Sequence, residues 1–293
     1  MVEIRRLKEC TLEEAVQAWN TGFEGYYFNM TMNTDAFTSR LVNEGLSTEY
    51  SIVAFMEGVP AGLVMNGIRE VNGKKVAWNG GTGVATTFRR HGVGKALIEK
   101  SLEIYKEEGV EVATLEAVQE NGKAIALYEQ YGYTITDQLE YLELKGSLSA
   151  SPITQSPNLY TLQTHVYLHE FDSLSFYQGM NPWQTHWKNG KGSQALIALD
   201  EKRKPIGYAN YRKAFSPEGE HSHTIVYQCE AAPARKDRDA IITFMLGDIF
   251  GDFSENITRL VPNSPVSAKS YAVYKGLGFQ TTTKQVFMMK DIS

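Results

Sequence analysis

The sequence predicts a mixed α/β protein made of two similar domains in tandem. Strand-like and helix-like hydrophobic patterns alternate along the chain, which is typical of a sheet flanked by helices. The pattern of the first half begins again in the second half, where Pro205 follows Pro60 by 145 positions and Ala272 follows Ala126 by 146. A nearly uncharged stretch rich in Ser and Pro separates the two repeats. We therefore predict a first domain at 1–146, a linker at 147–158 and a second domain at 159–293.

Local signals define the elements of the first half. Thr11 and Glu14 form the pattern of a capping box, which predicts a helix that begins at Leu12. A loop rich in aromatic side chains follows, and Asn72-Gly73 marks a hairpin between two later strands. Periodic apolar residues and terminal glycines predict two further helices and three further strands: Gly92–Glu108 and Asn121–Tyr131, with Val110–Val118, Thr134–Thr136 and Tyr141–Leu144.

The composition is that of an ordinary globular protein, with 42% hydrophobic and 22% charged residues. The net charge of −5 gives no global field that favours nucleic acid, although a local basic patch stays open. Cys10 and Cys229 lie far apart and fit a reducing compartment. The amino terminus lacks the apolar run of a signal peptide, and no stretch approaches the roughly 18 apolar residues of a membrane span. We expect a cytoplasmic protein without a membrane partner.

One stretch of the first half suits an anion. A strand leads into a basic, glycine-containing turn that opens an amphipathic helix, and the turn reads Arg89-Arg90-His91-Gly92-Val93-Gly94-Lys95. The first amides of a helix have no partners inside the helix, and the helix dipole adds positive charge there. Gly92 and Gly94 lack β-carbons, so a phosphate can approach the backbone closely. The pattern predicts a pyrophosphate site, to which Arg89, Arg90 and Lys95 add full charges.

Other interpretations of this turn are less suitable or stay open. A Walker A loop needs GxxxxGK[ST], which the sequence does not contain. A Rossmann fingerprint would need a third glycine at Thr86, and the helix begins too late for it. The remaining alternative is an ordinary helix start, in which the glycines only end the preceding turn and the arginines lie at the surface.

Two motifs together resemble the GNAT superfamily of acetyltransferases. Arg89-x-x-Gly92-x-Gly94 resembles its coenzyme A loop, (Gln/Arg)-x-x-Gly-x-(Gly/Ala), and the run Asn121-x-x-Ala-Ile-x-Leu-Tyr128-x-x-x-Gly-Tyr133 resembles its second motif. The resemblance covers the first half fully and the second half weakly. It implies that each domain has a mostly antiparallel twisted sheet flanked by helices. It also implies an acetyl-CoA-dependent N-acetyltransferase that acts on a primary amine of a small molecule or peptide, with no metal.

The resemblance also implies which residues bind the cofactor. Thr82, Gly83 and Val84 would pair with the pantetheine arm along an exposed strand edge. The glycine-rich run that contains them also fits a bulge or the close approach of another backbone. Gly92, Val93, Gly94 and Lys95 would offer backbone amides to the pyrophosphate, flanked by Arg89 and Arg90. Asn121 would contact the cofactor arm, although asparagine there also suits a helix N-cap.

The resemblance gives Tyr128 the role of the general acid that protonates the leaving thiolate, with a plain core tyrosine as the alternative. The base stays unassigned, with Glu116, Glu24 and Asp35 as weak candidates. The loop with Tyr26, Tyr27 and Phe28 lies where this family places its acceptor pocket, and it also fits core filling. A non-catalytic coenzyme A-binding regulator and a nucleotide-binding module are the competing functions.

The second half lacks the cofactor loop. Alignment of the repeats puts Arg235 at the position of Arg89, but Arg238 falls at Gly92 and Ala240 at Gly94. A long side chain at this position obstructs the close approach of a phosphate. We therefore predict a degenerate GNAT-like domain that binds no coenzyme A. Completing the acceptor pocket and forming a homodimer both stay open as its role, and His221-Ser-His223 lacks a third metal ligand nearby.

Overall fold

The computed structural model describes residues 1–148, 151, 153, 160–251 and 253–292. The first half contains strands β1 to β6 and helices α1 to α4, in the order β1 Glu3–Arg6, α1 Leu12–Gly22, α2 Thr34–Glu44, β2 Ile52–Met56, β3 Val59–Val71, β4 Lys74–Val84, α3 Val93–Glu107, β5 Val112–Val118, α4 Gly122–Gln130 and β6 Thr134–Lys145. The second half contains β7 Thr161–Gln163, β8 Gln194–Leu199, β9 Pro205–Phe215, β10 His221–Ala231, α5 Arg238–Phe250, β11 Thr258–Pro265, α6 Lys269–Gly276 and β12 Gln280–Asp291. None of the helices among the described residues is long and apolar enough to cross a membrane.

The described residues form two compact units. Unit 1 consists of Met1–Thr136 together with the C-terminal residues from Phe287 on, and unit 2 consists of the described residues of Asp137–Val286. These ranges differ from the predicted division at residue 146, because β6 and β12 each begin in one unit and end in the other. Most of the predicted linker lies outside the described residues. The assignment of separate roles to 1–146 and 159–293 stays a prediction.

Each unit has its own strand order. In unit 1 the order is β1-β2-β3-β4-β5, followed by the end of β12 and the start of β6. In unit 2 the order is β7-β8-β9-β10-β11, followed by β6 and the start of β12. Neighbouring strands from β1 to β4 and from β7 to β10 are antiparallel. The pairs β4–β5 and β10–β11 are parallel, so the same arrangement occurs twice.

Local signals predicted most of the elements of unit 1. Thr11 and Glu14 form the predicted capping box, with Glu14 N donating to Thr11 Oγ1 at 3.1 Å and Thr11 N donating to Glu14 Oε2 at 2.7 Å. Asn72 and Gly73 have φ values of 51° and 74°, as the predicted hairpin requires. The two predicted strands at 134–136 and 141–144 are wrong as separate elements, because the chain runs through both as the single strand β6.

The glycine-rich end of β4 makes room for helix α1. A β-carbon at Gly83 would lie 2.9 Å from the Phe23 ring and 3.1 Å from the Gly22 backbone. A β-carbon at Gly81 would likewise lie 3.1 Å from the Trp19 ring. The register between β3 and β4 also shifts here, between Val64 and Asn66. The glycine-rich run therefore coincides with two of the features predicted for it, a bulge and the close approach of another backbone.

Candidate active site

Strands β4 and β5 separate at the centre of unit 1. Their parallel register runs from Val76↔Val112 to Asn79↔Leu115 among the described residues, although β4 continues to Val84 and β5 to Val118. Over the same stretch β4 stays paired with β3, as far as Gly62↔Val84. The opening between the ends of the two strands, called here the β4–β5 cleft, therefore leaves one edge of β4 at 82–84 beyond the register with β5.

The turn after β4 leads directly into helix α3. Arg90 and Gly92 both have a left-handed backbone, with φ values of 68° and 82°. Gly92 is the N-cap of α3, and no side chain caps the helix there. The first helical hydrogen bond runs from Ala96 N to Gly92 O at 3.0 Å. The amides of residues 93–95 therefore have no partner within the helix. A β-carbon at residue 92 would meet nothing within 4 Å, so no neighbouring group packs against this cap.

The cations at this helix start are exposed. Arg89, Arg90 and Lys95 all face solvent and form no ion pair among the described residues. Arg89 Nε donates a hydrogen bond to Val84 O at 3.0 Å, which holds this side chain against the end of β4. Free amides, an aligned helix dipole and unpaired cations together form a site that fits a pyrophosphate.

Tyr128 projects from α4 into the region where β4 and β5 separate. Its side chain is buried and hydrogen bonds to Thr82 and Asn79. Asn79 Nδ2 in turn donates to Thr82 Oγ1 at 2.8 Å, so the three side chains form one polar cluster. Burial raises the pKa of Tyr128 above its ordinary value, although the hydrogen bonds to Thr82 and Asn79 oppose part of the rise. The phenol is therefore protonated at neutral pH and can donate a proton.

Asn121 links this cluster to the aromatic loop. It is the N-cap of α4, where its Oδ1 accepts a hydrogen bond from Ala124 N at 3.3 Å. Its side chain also hydrogen bonds to Tyr26. Burial, with a contribution from the neighbouring Tyr128, raises the pKa of Tyr26 to about 12, while the hydrogen bond to Asn121 acts in the opposite direction. The predicted acid, one predicted cofactor residue and one predicted acceptor residue therefore lie together.

The other two predicted acceptor residues lie at the surface. Tyr27 is 53% exposed and Phe28 is 42% exposed. Both rings pack edge-on against Tyr26, with ring centroids 5.2 Å from it. Tyr26 is thus the residue of this loop that reaches the site, whereas Tyr27 and Phe28 surround it from outside.

The weak base candidates lie in different places. Glu116 accepts a hydrogen bond from Trp78 Nε1 at 2.6 Å, which fixes its carboxylate. Asp35 lies in the first turn of α2. Glu24 lines a cavity of about 490 Å³ beside the aromatic loop. Reasoning from the sequence missed Asn79 and the side chain of Thr82 as partners of Tyr128. Their polar side chains beside glycines in an otherwise apolar strand were the available signal.

The corresponding helix start in unit 2 carries paired charges. Arg235 binds Asp237 through two hydrogen bonds of 2.8 and 2.6 Å, and Tyr160 donates to the same carboxylate at 2.7 Å. The hydrogen bond from Arg235 lowers the pKa of Asp237 to about 2, so Asp237 is charged at neutral pH. Arg238 NH2 lies 3.6 Å from Glu230 Oε2, whose side chain is buried. A phosphate here would meet the two carboxylates that already pair with Arg235 and Arg238.

Strands β10 and β11 also separate, but unit 2 fills the opening with its own residues. Their register ends at Ile225↔Leu260 among the described residues. Beyond it, Gln228 of β10 donates to Thr185 O at 3.3 Å, and Asn263 of β11 donates to Gln184 Oε1 at 3.2 Å. The short turn that carries Gln184 and Thr185 therefore connects the two strands. Tyr274, the counterpart of Tyr128, is fully buried, and its hydroxyl has no hydrogen-bond partner among the described residues.

Solved structures share this fold over almost the whole chain. A GCN5-related N-acetyltransferase from Sphaerobacter thermophilus matches with a TM-score of 0.67 and 13% identity, over 99% of this chain and 96% of that one. A tandem GNAT protein from the clavulanic acid biosynthesis pathway matches with a TM-score of 0.62 and 14% identity, over 100% of this chain and 99% of that one. A putative acetyltransferase from Pyrococcus horikoshii matches with a TM-score of 0.59 and 14% identity, over 99% of this chain and 89% of that one.

These likenesses confirm the predicted fold class, two GNAT-like domains in tandem. At such low identity they establish the fold alone. Residues 9–133 also match the model of the Acetyltransferase (GNAT) family. No curated protein sequence matches the chain significantly.

Proposed function

We propose that the protein is an acetyl-CoA-dependent N-acetyltransferase whose cofactor site lies in unit 1. The observation that carries this proposal is the buried, protonated Tyr128 beside the β4–β5 cleft. The same short stretch of chain that ends β4 also opens the uncapped, cationic start of α3. An acid and an anion site on one cleft are what the transfer of an acyl group from a coenzyme A thioester requires.

The residues around the cleft fit acetyl-CoA. The amides of Val93, Gly94 and Lys95 would hold the pyrophosphate, together with Gly92 and the side chains of Arg89 and Arg90. The edge of β4 at Thr82, Gly83 and Val84, which lies beyond the register with β5, would pair with the pantetheine arm. A β-carbon added at Gly94 would lie 3.4 Å from the Leu127 side chain of α4 and 3.8 Å from Val84, so this side of the turn faces α4 and the end of β4. Acetyl-CoA supplies the thioester when bound.

The transfer moves an acetyl group to a primary amine by direct attack. The amine nitrogen forms a bond to the thioester carbon, and the bond between carbon and sulfur breaks. The Tyr128 phenol would give its proton to the leaving sulfur and recover one from solvent, while the acceptor nitrogen loses its proton to water. Thr82 and Asn79 orient the phenol through their hydrogen bonds. No side chain is assigned as the base.

Unit 2 is proposed to bind no coenzyme A. The ion pairs of Arg235 with Asp237 and of Arg238 with Glu230 support this, because the cations are already occupied. Unit 2 is then proposed to form a homodimer. Cys10 and Cys229 are both free thiols, which supports a location in the reducing cytoplasm.

A transfer assay tests this proposal. The full-length protein is mixed with acetyl-CoA and a panel of amines, and release of the free thiol is followed together with the mass of the acetylated product. We expect thiol release that depends on an amine and yields stoichiometric acetyl-amine. Binding of acetyl-CoA without turnover on any amine would favour a non-catalytic regulator instead. ATP affinity equal to that for coenzyme A would favour a nucleotide-binding module.

A further inference from the structure

The bulge in β4 places two partners of Tyr128 on one face of the sheet. On β3 the single residue Met65 lies between the paired positions, whereas on β4 both Gly80 and Gly81 lie between Asn79 and Thr82. In a regular strand, side chains three positions apart point to opposite faces. The extra residue of a bulge removes this alternation and re-aims the side chains beside it. Asn79 and Thr82 therefore meet, with Asn79 Nδ2 donating to Thr82 Oγ1 at 2.8 Å.

Arg40 of helix α2 binds the backbone of this bulge. Its Nη2 donates a hydrogen bond to Gly80 O at 2.7 Å. Its Nε donates to Glu44 Oε2 at 3.0 Å, and its guanidinium lies over the Trp19 ring, 4.5 Å from the centroid. Trp19 is fully buried, and the Arg40 side chain is only 14% exposed. Because the guanidinium is held by a carboxylate and by a ring, it presents one fixed donor to Gly80.

The bulge in turn orients the proposed acid. Gly81 N donates to Asn79 Oδ1 at 3.1 Å, so the backbone of the bulge fixes the Asn79 amide. Asn79 and Thr82 both hydrogen bond to the Tyr128 phenol. Among the described residues, the hydrogen bonds of Arg40 go to Glu44 and Gly80 and not to Tyr128. Any effect of Arg40 on the phenol therefore passes through the bulge.

We infer that Arg40 is a positioning residue for acyl transfer, which acts through the Gly80 carbonyl on the bulge that aims Tyr128. This inference rests on the proposed function, because it takes Tyr128 as the acid. A general acid must lie within hydrogen-bonding reach of the atom that it protonates, so a displaced phenol would protonate the leaving sulfur less often. A small misplacement of a reacting group by a distant substitution lowers the rate by up to about 100-fold.

Arg40→Met is the variant that tests the inference. Methionine keeps an unbranched stem over Trp19 but has no donor for Gly80 O. Arg5→Met is the matched control, since Arg5 also pairs with a glutamate and lies over an aromatic ring, 4.2 Å from the centroid of Phe55. Arg5 belongs to β1, and its hydrogen bond goes to Glu3 rather than to β4. Both variants therefore remove one positive charge and one cation–π contact.

Steady-state kinetics compares these variants with and without Tyr128→Phe. We expect Arg40→Met to lower kcat about tenfold to 100-fold and Arg5→Met to keep the kcat of the wild type. In the Tyr128→Phe background the same Arg40→Met substitution should change kcat by less than about twofold, because the group that it positions is already absent. A kcat like that of the wild type in Arg40→Met would overturn the inference. So would a loss that adds in full to that of Tyr128→Phe, which is the result expected of a merely structural residue.

Hydrogen exchange of the backbone amides at 79–84 tests the contact with the bulge without any transfer. We expect faster exchange there in Arg40→Met than in the wild type or Arg5→Met, because the bulge loses its fixed donor. Unchanged exchange would overturn the inference. A wild type without transfer activity would overturn the proposed function and the catalytic half of the inference, while the exchange still decides whether Arg40 holds the bulge. If Arg40→Met does not fold, Arg40→Lys is judged by the same outcomes, since lysine lacks the planar fork that bonds Glu44 and Gly80 together.

Discussion

Replacement of Gly92 by aspartate is expected to weaken acetyl-CoA binding by about 100-fold or more, roughly 3 kcal/mol. Gly92 has a φ of 82°, a conformation that strains residues with a β-carbon. The new carboxylate would also lie at the uncapped start of α3, where the phosphates are proposed to dock. It would repel them and compete for the same amides. Isothermal titration of acetyl-CoA into both proteins measures the effect.

Gly109→Asp is the matched control for this variant. Gly109 lies just beyond the other end of α3 and has a φ of 66°, and a β-carbon there would also meet nothing within 4 Å. The substitution therefore adds similar backbone strain and the same charge, but far from the proposed site. We expect Gly109→Asp to bind acetyl-CoA like the wild type. Equal losses in both variants would attribute the effect to strain or charge alone and contradict the assignment of the phosphate site.

Tyr128→Phe is expected to lower kcat by about 100-fold to 10,000-fold, which is the range for the loss of a general acid. The change removes only the hydroxyl that hydrogen bonds to Thr82 and Asn79. The ring stays available to pack against Tyr133, whose centroid lies 5.9 Å away. The affinity for acetyl-CoA should therefore stay close to that of the wild type. Steady-state kinetics combined with the same titration separates the two effects.

Tyr274→Phe provides the control in unit 2. Its hydroxyl has no hydrogen-bond partner among the described residues, so its removal should leave kcat unchanged. The pH dependence has a definite sign as well. Because burial raises the pKa of Tyr128, the phenol stays protonated across neutral pH, and its contribution to the rate is lost only as pH rises through that raised pKa. A Tyr128→Phe variant with the kcat of the wild type would refute the role of Tyr128 as the acid.

Local signals in the sequence were sufficient for the elements that position the cofactor site. The turn from β4 into α3 carries its own determinants, since Gly92 is needed for the left-handed cap and the apolar stripe of α3 sets the helix. The capping box at Thr11 and the hairpin at Asn72 depend on neighbouring residues only. Such features can be derived from a single sequence because the interactions that determine them span a few positions.

Contacts between distant parts of the chain could not be derived in this way. The hydrogen bond between Tyr26 and Asn121 joins a loop to a helix 95 positions further on. The closure of the opening in unit 2 by Gln184 and Thr185 likewise depends on how a long irregular segment packs. The course of β6 through both units depends on strand pairing, and the sequence predicted two separate strands at 134–136 and 141–144 instead.

The central claim is that the chain holds one acetyl-CoA site, formed by unit 1. Calorimetric titration of acetyl-CoA into the wild-type protein tests it most directly, because the stoichiometry counts the sites. We predict one site per chain. Two sites per chain would contradict the proposal that the ion pairs of Arg235 and Arg238 prevent binding in unit 2, and the absence of any binding would contradict the acetyltransferase assignment itself.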